Sequence, residues 1–235
     1  MRISFNQPVF LPWGGFFGRL LNSDLMILLD QTQFAHGFTY VNRNRLKGPQ
    51  GEIWITVPIK KKRLGLQKIS QLRIHQPRKW SKNFLALVRH YYCHSLYFHS
   101  TYSSLKQLTQ EMDDDFLSLA QGTIRYLAEK FRISANLRLQ SDTGIEAKGA
   151  ELLLQLALEV GAREVLLPYL ADRHLDPGIF TRAGLRVYFL RYTQAVYPQF
   201  WGNFIENLSA LDLWLCCGSD GLEVIKKSSK IISKT

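Results

Sequence analysis

The stretch ISFNQPVFLPWGGFFGRLLNSDLMILLD, residues 3–30, decides the fold of this chain. It begins with a short apolar run at 3–5 that Pro8 ends, because proline cannot donate a hydrogen bond to a strand ladder. From about Pro12 large apolar residues recur at helical spacings of three and four, and they are Trp13, Phe16, Phe17, Leu20 and Leu21. Residues 25–29 are continuously apolar, as in a strand buried on both faces. Strand, helix and strand in this order predict a βαβ unit with parallel strands.

The βαβ unit predicts an open, mostly parallel α/β sheet. Ligands of such sheets bind outside the carboxyl ends of the strands. Here those ends are 6–8 and 30–33, which carry amide and carboxylate side chains. We therefore expect these two loops to face one crevice.

The rest of the chain predicts one α/β domain over 1–225, with a helical insertion at about 78–131 and a loose basic tail at 226–235. A polar loop is expected up to about Gln50. Further strands are predicted at 53–59, 69–74, 137–139, 164–167 and 185–190. Helices are predicted at 78–95, at 101–131, after a capping box at 143–146, at 201–207 and at 210–217.

The composition of the chain indicates its possible partners and its expected location. The chain has 30 Lys and Arg against 19 Asp and Glu, a formal net charge of +11, which attracts anions such as nucleotides, sugar phosphates or nucleic acid. A basic balance is also found in proteins with no anionic partner. Three cysteines are too few for a disulfide scaffold, and no window has the length of an apolar transmembrane segment, so we expect a cytoplasmic protein.

Several motifs together resemble the WbqC-like family. They are the opening 7–17, QPVFLPWGGFF, the segment 42–45, NRNR, the segment 54–58, WITVP, and the segment 204–212, FIENLSALD. The resemblance implies a role among surface-polysaccharide and O-antigen biosynthesis functions, usually described as a transferase, and it carries no catalytic assignment. The opening also looks like a Rossmann-like, nucleotidylyltransferase-type domain, a fold-level analogy that favours nucleotide binding.

Residues 42–47 are the strongest candidate for a ligand-binding segment. Two guanidinium groups flanked by amides could bracket a phosphate with bidentate hydrogen bonds, and a nearby lysine would add positive charge. The alternative is a structural loop whose arginines pair with carboxylates. The candidate residues are Asn42, Arg43, Asn44, Arg45 and Lys47.

The predicted strand ends supply further candidates. Gln7 and Gln33 could orient a ligand through their amides, and Asp30 is the best-placed general base. Trp13 could stack on a base or sugar, although helical aromatic residues more often belong to the core. Asn207, Ser209 and Asp212 form a secondary, family-like cluster in which Ser209 could simply cap a helix.

No cofactor can be named from the sequence, and no metal site is predicted. His90, Cys93 and His94 would share one helical face, but the pattern lacks a carboxylate partner. Walker, Gly-x-Gly-x-x-Gly and Gly-x-Ser-x-Gly motifs are missing from the sequence.

Two hypotheses follow. The first is a transferase that moves an acyl or related group on a nucleotide-linked sugar or another phosphate-bearing small molecule. The second is a non-catalytic protein that binds anionic glycan precursors or, less favoured, nucleic acid through its positive surface.

Overall fold

The computed structural model describes residues 1–35, 39–62, 64–110 and 113–233. Six strands form one sheet, in which five run parallel and the last is antiparallel to its neighbour. Their order across the sheet is β5 (Leu137–Leu139), β2 (Leu25–Leu28), β1 (Arg2–Asn6), β6 (Glu164–Pro168), β7 (Arg186–Tyr192) and β8 (Ser229–Ile232). With helices flanking this mostly parallel sheet, the expected Rossmann-like α/β fold is confirmed.

The predicted βαβ unit is present at the amino terminus. Strand β1 (Arg2–Asn6), helix α1 (Gly14–Leu21) and strand β2 (Leu25–Leu28) follow one another, and Ile3 pairs in parallel with Leu25. Glycine permits close packing of α1, since a Cβ at Gly18 would lie 2.4 Å from the Ser229 hydroxyl. The opening helix is therefore held directly against the far edge of the sheet.

The chain extends the sheet in both directions from β1. It moves to β2 and β5 on one side, then returns to β6 and β7 on the other. A crevice at the carboxyl ends of the strands is expected where the order reverses, which is between β1 and β6. The loop after β1 is thus at the position where open α/β sheets bind ligands.

A separate antiparallel hairpin corrects one prediction. Residues up to about 50, expected to be a loop, include strand β3 (Arg43–Gly48), which pairs with β4 (Gly51–Thr56). The sequence did not predict β3 because the strand is polar, and its buried positions include Asn44 and Lys47 as well as an apolar residue. The hairpin carries the predicted phosphate-binding segment on a rigid element.

The helical insertion and the segment before it each differ from the prediction in one place. The helix expected at 101–131 is two helices, since Asp115 caps a new one by accepting a hydrogen bond from the backbone N–H of Ser118 at 2.8 Å. The strand expected at 69–74 contains a short 3-10 helix instead. The insertion comprises α2 (Pro77–Tyr92), α3 (Phe98–Gln110) and α4 (Phe116–Lys130).

The carboxyl-terminal half completes the sheet. Its elements are β5 (Leu137–Leu139), α5 (Gly149–Glu159), β6 (Glu164–Pro168), α6 (Gly178–Arg182), β7 (Arg186–Tyr192), α7 (Ala210–Cys217), α8 (Gly221–Ser228) and β8 (Ser229–Ile232).

Three local predictions in this half are corrected. Thr143 lies in a 3-10 helix, Gln140–Thr143, and does not cap α5. Residues 201–207 form bends and turns instead of a helix. Residues 226–232, expected to be loose, form the end of α8 and strand β8, because β8 finds hydrogen-bond partners on β7.

Two apolar cores lie on opposite faces of the sheet. Successive side chains of β2 point to opposite faces of the sheet. Met26 and Leu28 lie on the face covered by the helical insertion, and Leu25 and Ile27 lie on the face covered by α5 and α6. This double burial explains the unbroken apolar run in the sequence.

Candidate functional site

A cavity of about 560 Å³ opens at the carboxyl end of β1, and we call it the Gln7 pocket. It is bounded by the loop after β1, the start of α1, the hairpin strand β3 and the loop before α7. Its lining consists of Asn6, Gln7, Val9, Pro12, Trp13, Phe16, Thr39, Tyr40, Val41, Asn44, Arg45 and Asn207. The lining combines amides, aromatic rings and one guanidinium, a set suited to a hydroxyl-rich ligand.

The end of β1 presents Asn6 and Gln7 side by side. The Asn6 amide donates to the Gln7 carbonyl at 2.7 Å, and the Gln7 amide donates to the Thr32 hydroxyl at 3.1 Å. Gln7 is partly exposed in the pocket, where its amide oxygen can accept a hydrogen bond. The placement agrees with the position predicted for Gln7, and its binding role stays a prediction.

A buried guanidinium stands behind Asn6. Arg19, in α1, is 6% exposed and donates to the Asn6 side-chain oxygen. No carboxylate of the described residues forms an ion pair with it, and burial lowers its pKa to about 10. Arg19 therefore stays charged at neutral pH and contacts the pocket through its hydrogen bond to Asn6.

Trp13 lies on the pocket wall immediately before α1. Its ring meets that of Tyr192 edge to face, with ring centroids 5.0 Å apart, and it remains partly exposed. Phe16, one turn further along, is 1% exposed and belongs mainly to the core. Of Trp13 and Phe16, Trp13 is therefore the one with surface left for a ligand.

The two predicted arginines have different positions. Arg43 and Arg45 lie two residues apart on the same face of β3, and both pack on the Trp54 ring, at 4.9 and 5.8 Å from guanidinium carbon to ring centroid. Arg45 lines the Gln7 pocket. Arg43 is outside the lining, although its Nε donates to the carbonyl of Thr39, which is part of it. Of the two arginines expected to bracket a phosphate, Arg45 therefore lines the pocket and Arg43 lies outside the lining.

Internal partners already hold Arg45 in place. One Nη donates to Glu52 at 2.6 Å, and the other donates to the Asn207 carbonyl at 3.1 Å. The alternative that these arginines pair with carboxylates therefore holds for Arg45. An anion in the pocket has to compete with the Glu52 carboxylate for that guanidinium.

Two buried polar atoms of the pocket residues lack partners among the described part of the chain. They are Nε of Arg45, a donor, and Oδ1 of Asn207, an acceptor. Unpaired buried polar groups cost about 1–3 kcal/mol each and are rare in native proteins. A ligand hydroxyl, which donates once and accepts twice, has the complementary functions to satisfy both.

The amides of Asn42 and Asn44 hold the backbone together. Asn42 donates to the Val57 carbonyl at 2.8 Å, and Asn44 donates to the Leu11 carbonyl at 2.6 Å. Both side chains are buried, and only Asn44 lines the pocket. Asn44 thereby ties the hairpin to the loop after β1, which brings Arg45 beside Gln7.

Lys47 and Asp212 belong to a buried network outside the lining. Asp212 accepts hydrogen bonds from the hydroxyls of Tyr92 and Tyr197, at 2.5 and 2.7 Å, and burial raises its pKa despite the positive charge of Lys47. The Lys47 ammonium donates to the Gln199 side chain at 2.9 Å. Their location supports a structural role in joining the hairpin to α7.

Ser209 and Asn207, the other members of the secondary cluster, have separate roles. Ser209 caps α7, accepting from the backbone N–H of Leu211 at 3.2 Å, and its hydroxyl donates to the Leu11 carbonyl at 2.8 Å. Asn207 lines the pocket in a left-handed backbone conformation, with φ of 56°.

Gln33 and Asp30 do not reach the Gln7 pocket. Gln33 lines a second cavity of about 520 Å³ at the carboxyl ends of β2 and β5, which we call the β2–β5 cavity. Asp30 is buried, and its carboxylate accepts from the Ser141 backbone N–H at 3.0 Å and the Gln31 amide at 3.1 Å. The two predicted strand ends thus face neighbouring cavities instead of one crevice, and nothing in the geometry brings Asp30 to a ligand in the first.

Within the described ranges, no group of three or more His, Cys, Asp or Glu side chains is arranged to hold a metal ion. None of the helices described in the structure is long and apolar enough to cross a membrane.

The sequence reasoning missed Asn6, Tyr40 and Arg19. A signal for Arg19 was present, because it is the single charged residue in the otherwise apolar and glycine-rich α1. A charge in a helix that must be buried indicates a polar partner inside the fold. Tyr40 carried no such signal, since its place beside Trp54 depends on how the hairpin docks.

Comparison with known proteins gives a family and one distant relative. The model of the WbqC-like protein family matches residues 7–224. An uncharacterized protein of Mycobacterium tuberculosis, Rv1507c, is 26% identical over 227 residues, covering 96% of this chain and 97% of that protein. No solved structure matches the chain significantly.

Proposed function

The chain belongs to the WbqC-like protein family, and from that premise we propose that its Gln7 pocket binds a nucleotide-linked sugar or a related phosphate-bearing glycan precursor. In this proposal the sugar is the substrate of an acyl or similar group transfer during surface-polysaccharide assembly. One observation carries the binding step. The unpartnered Arg45 Nε and Asn207 Oδ1 lie on two lining residues that are hydrogen-bonded to each other, and a sugar hydroxyl supplies the missing acceptor and donor.

The remaining lining supports a sugar as the occupant. Gln7 and Asn6 supply amides for further hydroxyls, and the exposed part of Trp13 supplies a flat apolar surface for a pyranose face. A phosphate near Arg45 would lie in the positive field of two arginines on β3 and the buried Arg19, opposed by the carboxylate of Glu52. Size also fits, since about 560 Å³ is within the range of small-molecule sites.

Substitution of Asn207 and Arg45 tests the proposal. We expect Asn207→Gly to weaken binding of a nucleotide-linked sugar about tenfold, because glycine keeps the left-handed backbone while the acceptor is removed. Arg45→Ala should weaken it about thirtyfold or more, since a charge-assisted hydrogen bond is lost. Calorimetric titration with a panel of nucleotide-linked sugars measures both affinities.

Arg125→Ala, an exposed arginine on α4, is the matched control and should bind like the parent. Circular dichroism checks that each variant is folded. If no member of the panel binds the parent, or if Asn207→Gly and Arg45→Ala bind as tightly as the control, the Gln7 pocket is not the site.

A second substitution should tighten ligand binding instead of weakening it. Glu52 holds one Nη of Arg45, so Glu52→Gln should free the guanidinium and tighten binding of a phosphate-bearing ligand by about threefold to tenfold at low salt. Glu223→Gln, an exposed carboxylate on α8, is the control. Equal or weaker affinity for Glu52→Gln would mean that the ligand phosphate does not approach Arg45.

The alternative is a non-catalytic protein that binds anionic glycan precursors or nucleic acid. It is favoured by the lining itself, which among the described residues contains no carboxylate, histidine, cysteine or lysine to transfer a proton. Incubation with a bound sugar nucleotide and acyl donors separates the two hypotheses by mass spectrometry, because only a transferase returns modified sugar. Binding of nucleic acid would be recognised by an affinity that falls steeply with salt.

A further inference from the structure

The β2–β5 cavity is a second concave site on the same edge of the sheet. It lies where β2 ends at Leu28 and β5 ends at Leu139, next to the Gln7 pocket. The hydrogen bond from Gln7 to Thr32 spans the boundary, since Gln7 lines the first cavity and Thr32 lines the second. Ligands in the two cavities would be neighbours.

The amino terminus of α5 opens into this cavity. The helix has 11 residues, Gly149–Glu159, and its first residue and Leu152 are among the lining residues. Lys148 occupies the N-cap position, and no side chain caps the helix. The first backbone N–H groups of such a helix lack intrahelical acceptors and favour an anion, an effect that the helix dipole reinforces.

Charged side chains around the cavity are mainly basic. Lys68 and Lys148 both line it and are exposed, and Lys68 donates to the Gln31 side chain at 3.0 Å. Glu146 is the single carboxylate in the lining. Two ammonium groups against one carboxylate add to the preference of the helix terminus for a negative group.

Gln140 gives a separate indication of a ligand. The residue lines the cavity, is 3% exposed, and its amide nitrogen donates to the Ile145 carbonyl at 3.2 Å. Its Oε1 has no hydrogen-bond partner among the described residues. That oxygen can only accept, so an anion alone does not satisfy it, and the missing group is a hydroxyl or N–H.

We propose that the β2–β5 cavity binds a hydroxyl-bearing phosphate monoester, such as a polyol phosphate or sugar phosphate. The phosphate would lie at the amino terminus of α5 with Lys148 and Lys68, and a hydroxyl would donate to Gln140. This site is independent of the ligand proposed for the Gln7 pocket. If both are occupied, the shared boundary at Gln7 and Thr32 places two small molecules beside each other, as a reaction between two substrates requires.

Three matched probes test this site by amide NMR titration: glycerol phosphate, inorganic phosphate and glycerol. Glycerol phosphate and inorganic phosphate should shift the amide signals of Gly149–Leu152, with glycerol phosphate binding more tightly, and glycerol alone should not. Lys148→Gln with Lys68→Gln should weaken both anions about tenfold, while Lys79→Gln, on the exposed face of α2, should change neither. No shift at the start of α5, or equal affinity for the double variant and the control, would overturn the proposal.

Gln140→Met separates the two halves of the ligand. It should reduce the affinity for glycerol phosphate toward that for inorganic phosphate and leave inorganic phosphate unchanged, because only the hydroxyl partner is lost. Equal loss for both probes in a folded variant would contradict the role of Gln140, and the lysine variants still test the site if Gln140→Met does not fold. Arg45→Ala should leave these shifts intact, so failure here is distinguishable from failure of the Gln7 pocket.

Discussion

Asp212→Leu should lower the free energy of unfolding by about 3–5 kcal/mol, a large fraction of the stability of a domain of this size. The carboxylate is 0% exposed and accepts from the hydroxyls of Tyr92 and Tyr197. Leucine has nearly the same volume but no acceptor, so two buried hydroxyls lose their partner. Lys47, 1% exposed, would also lose the negative charge that acts on it.

Asp212→Asn is the matched control for this prediction. Asparagine keeps one acceptor oxygen and the shape of the side chain, so its loss should be about half as large or less. Urea unfolding followed by tryptophan fluorescence measures both variants at neutral pH. A change under about 0.5 kcal/mol for Asp212→Leu would mean that the network contributes nothing beyond its packing.

Stability should also fall steeply above pH 10, because four tyrosines resist ionisation in the folded chain. Burial raises the pKa of Tyr126 and of Tyr192 to about 12, and burial together with the neighbouring Asp212 carboxylate also raises the pKa of Tyr92 and of Tyr197 well above the usual tyrosine value. Unfolded tyrosines ionise near pH 10. Between pH 10 and 12 the folded state therefore holds more protons, and the free energy of unfolding decreases as pH rises.

Each of these tyrosines contributes a slope of about 1.4 kcal/mol per pH unit, so the four together contribute about 5 kcal/mol per unit once the unfolded groups have ionised. Urea unfolding between pH 9 and 11 measures the slope, and phenolate absorbance should rise together with unfolding. Tyr126→Phe should remove about a quarter of the slope. A slope unchanged in Tyr126→Phe would contradict the assignment.

The opening of the sequence predicted the centre of the fold because the spacing of apolar residues within a strand or helix depends only on that element. Periods of two and of about 3.6 residues are imposed by strands and helices on their own side chains, so β1, α1 and β2 could be read directly from apolar spacing. Strand β3 could not, because its buried positions carry Asn44 and Lys47. Their burial is tolerated only through acceptors on distant segments, the Leu11 carbonyl for Asn44 and the Gln199 side chain for Lys47.

The candidate site residues also differ in whether local sequence or contacts between distant segments determine their position. Residue chemistry identified Gln7 and Arg45 as candidates, the family resemblance added Asn207, and the fold places all three around one cavity. Residue chemistry could not show that Lys47 and Asp212 would belong to a buried network, or that Gln33 would line a different cavity. Each of these outcomes depends on contacts between residues far apart in the chain.

By itself, then, the sequence determined the family, the βαβ core and the polar strand ends, since these follow from motif and period. Tertiary structure alone decided which polar groups meet. The hairpin docks against the loop after β1 through Asn44, and that docking brings Arg45 and Asn207, each with a buried polar atom that has no partner among the described residues, into the lining of one cavity. A hydrogen bond depends on distances of a few ångströms in space, and separation along the chain does not set those distances.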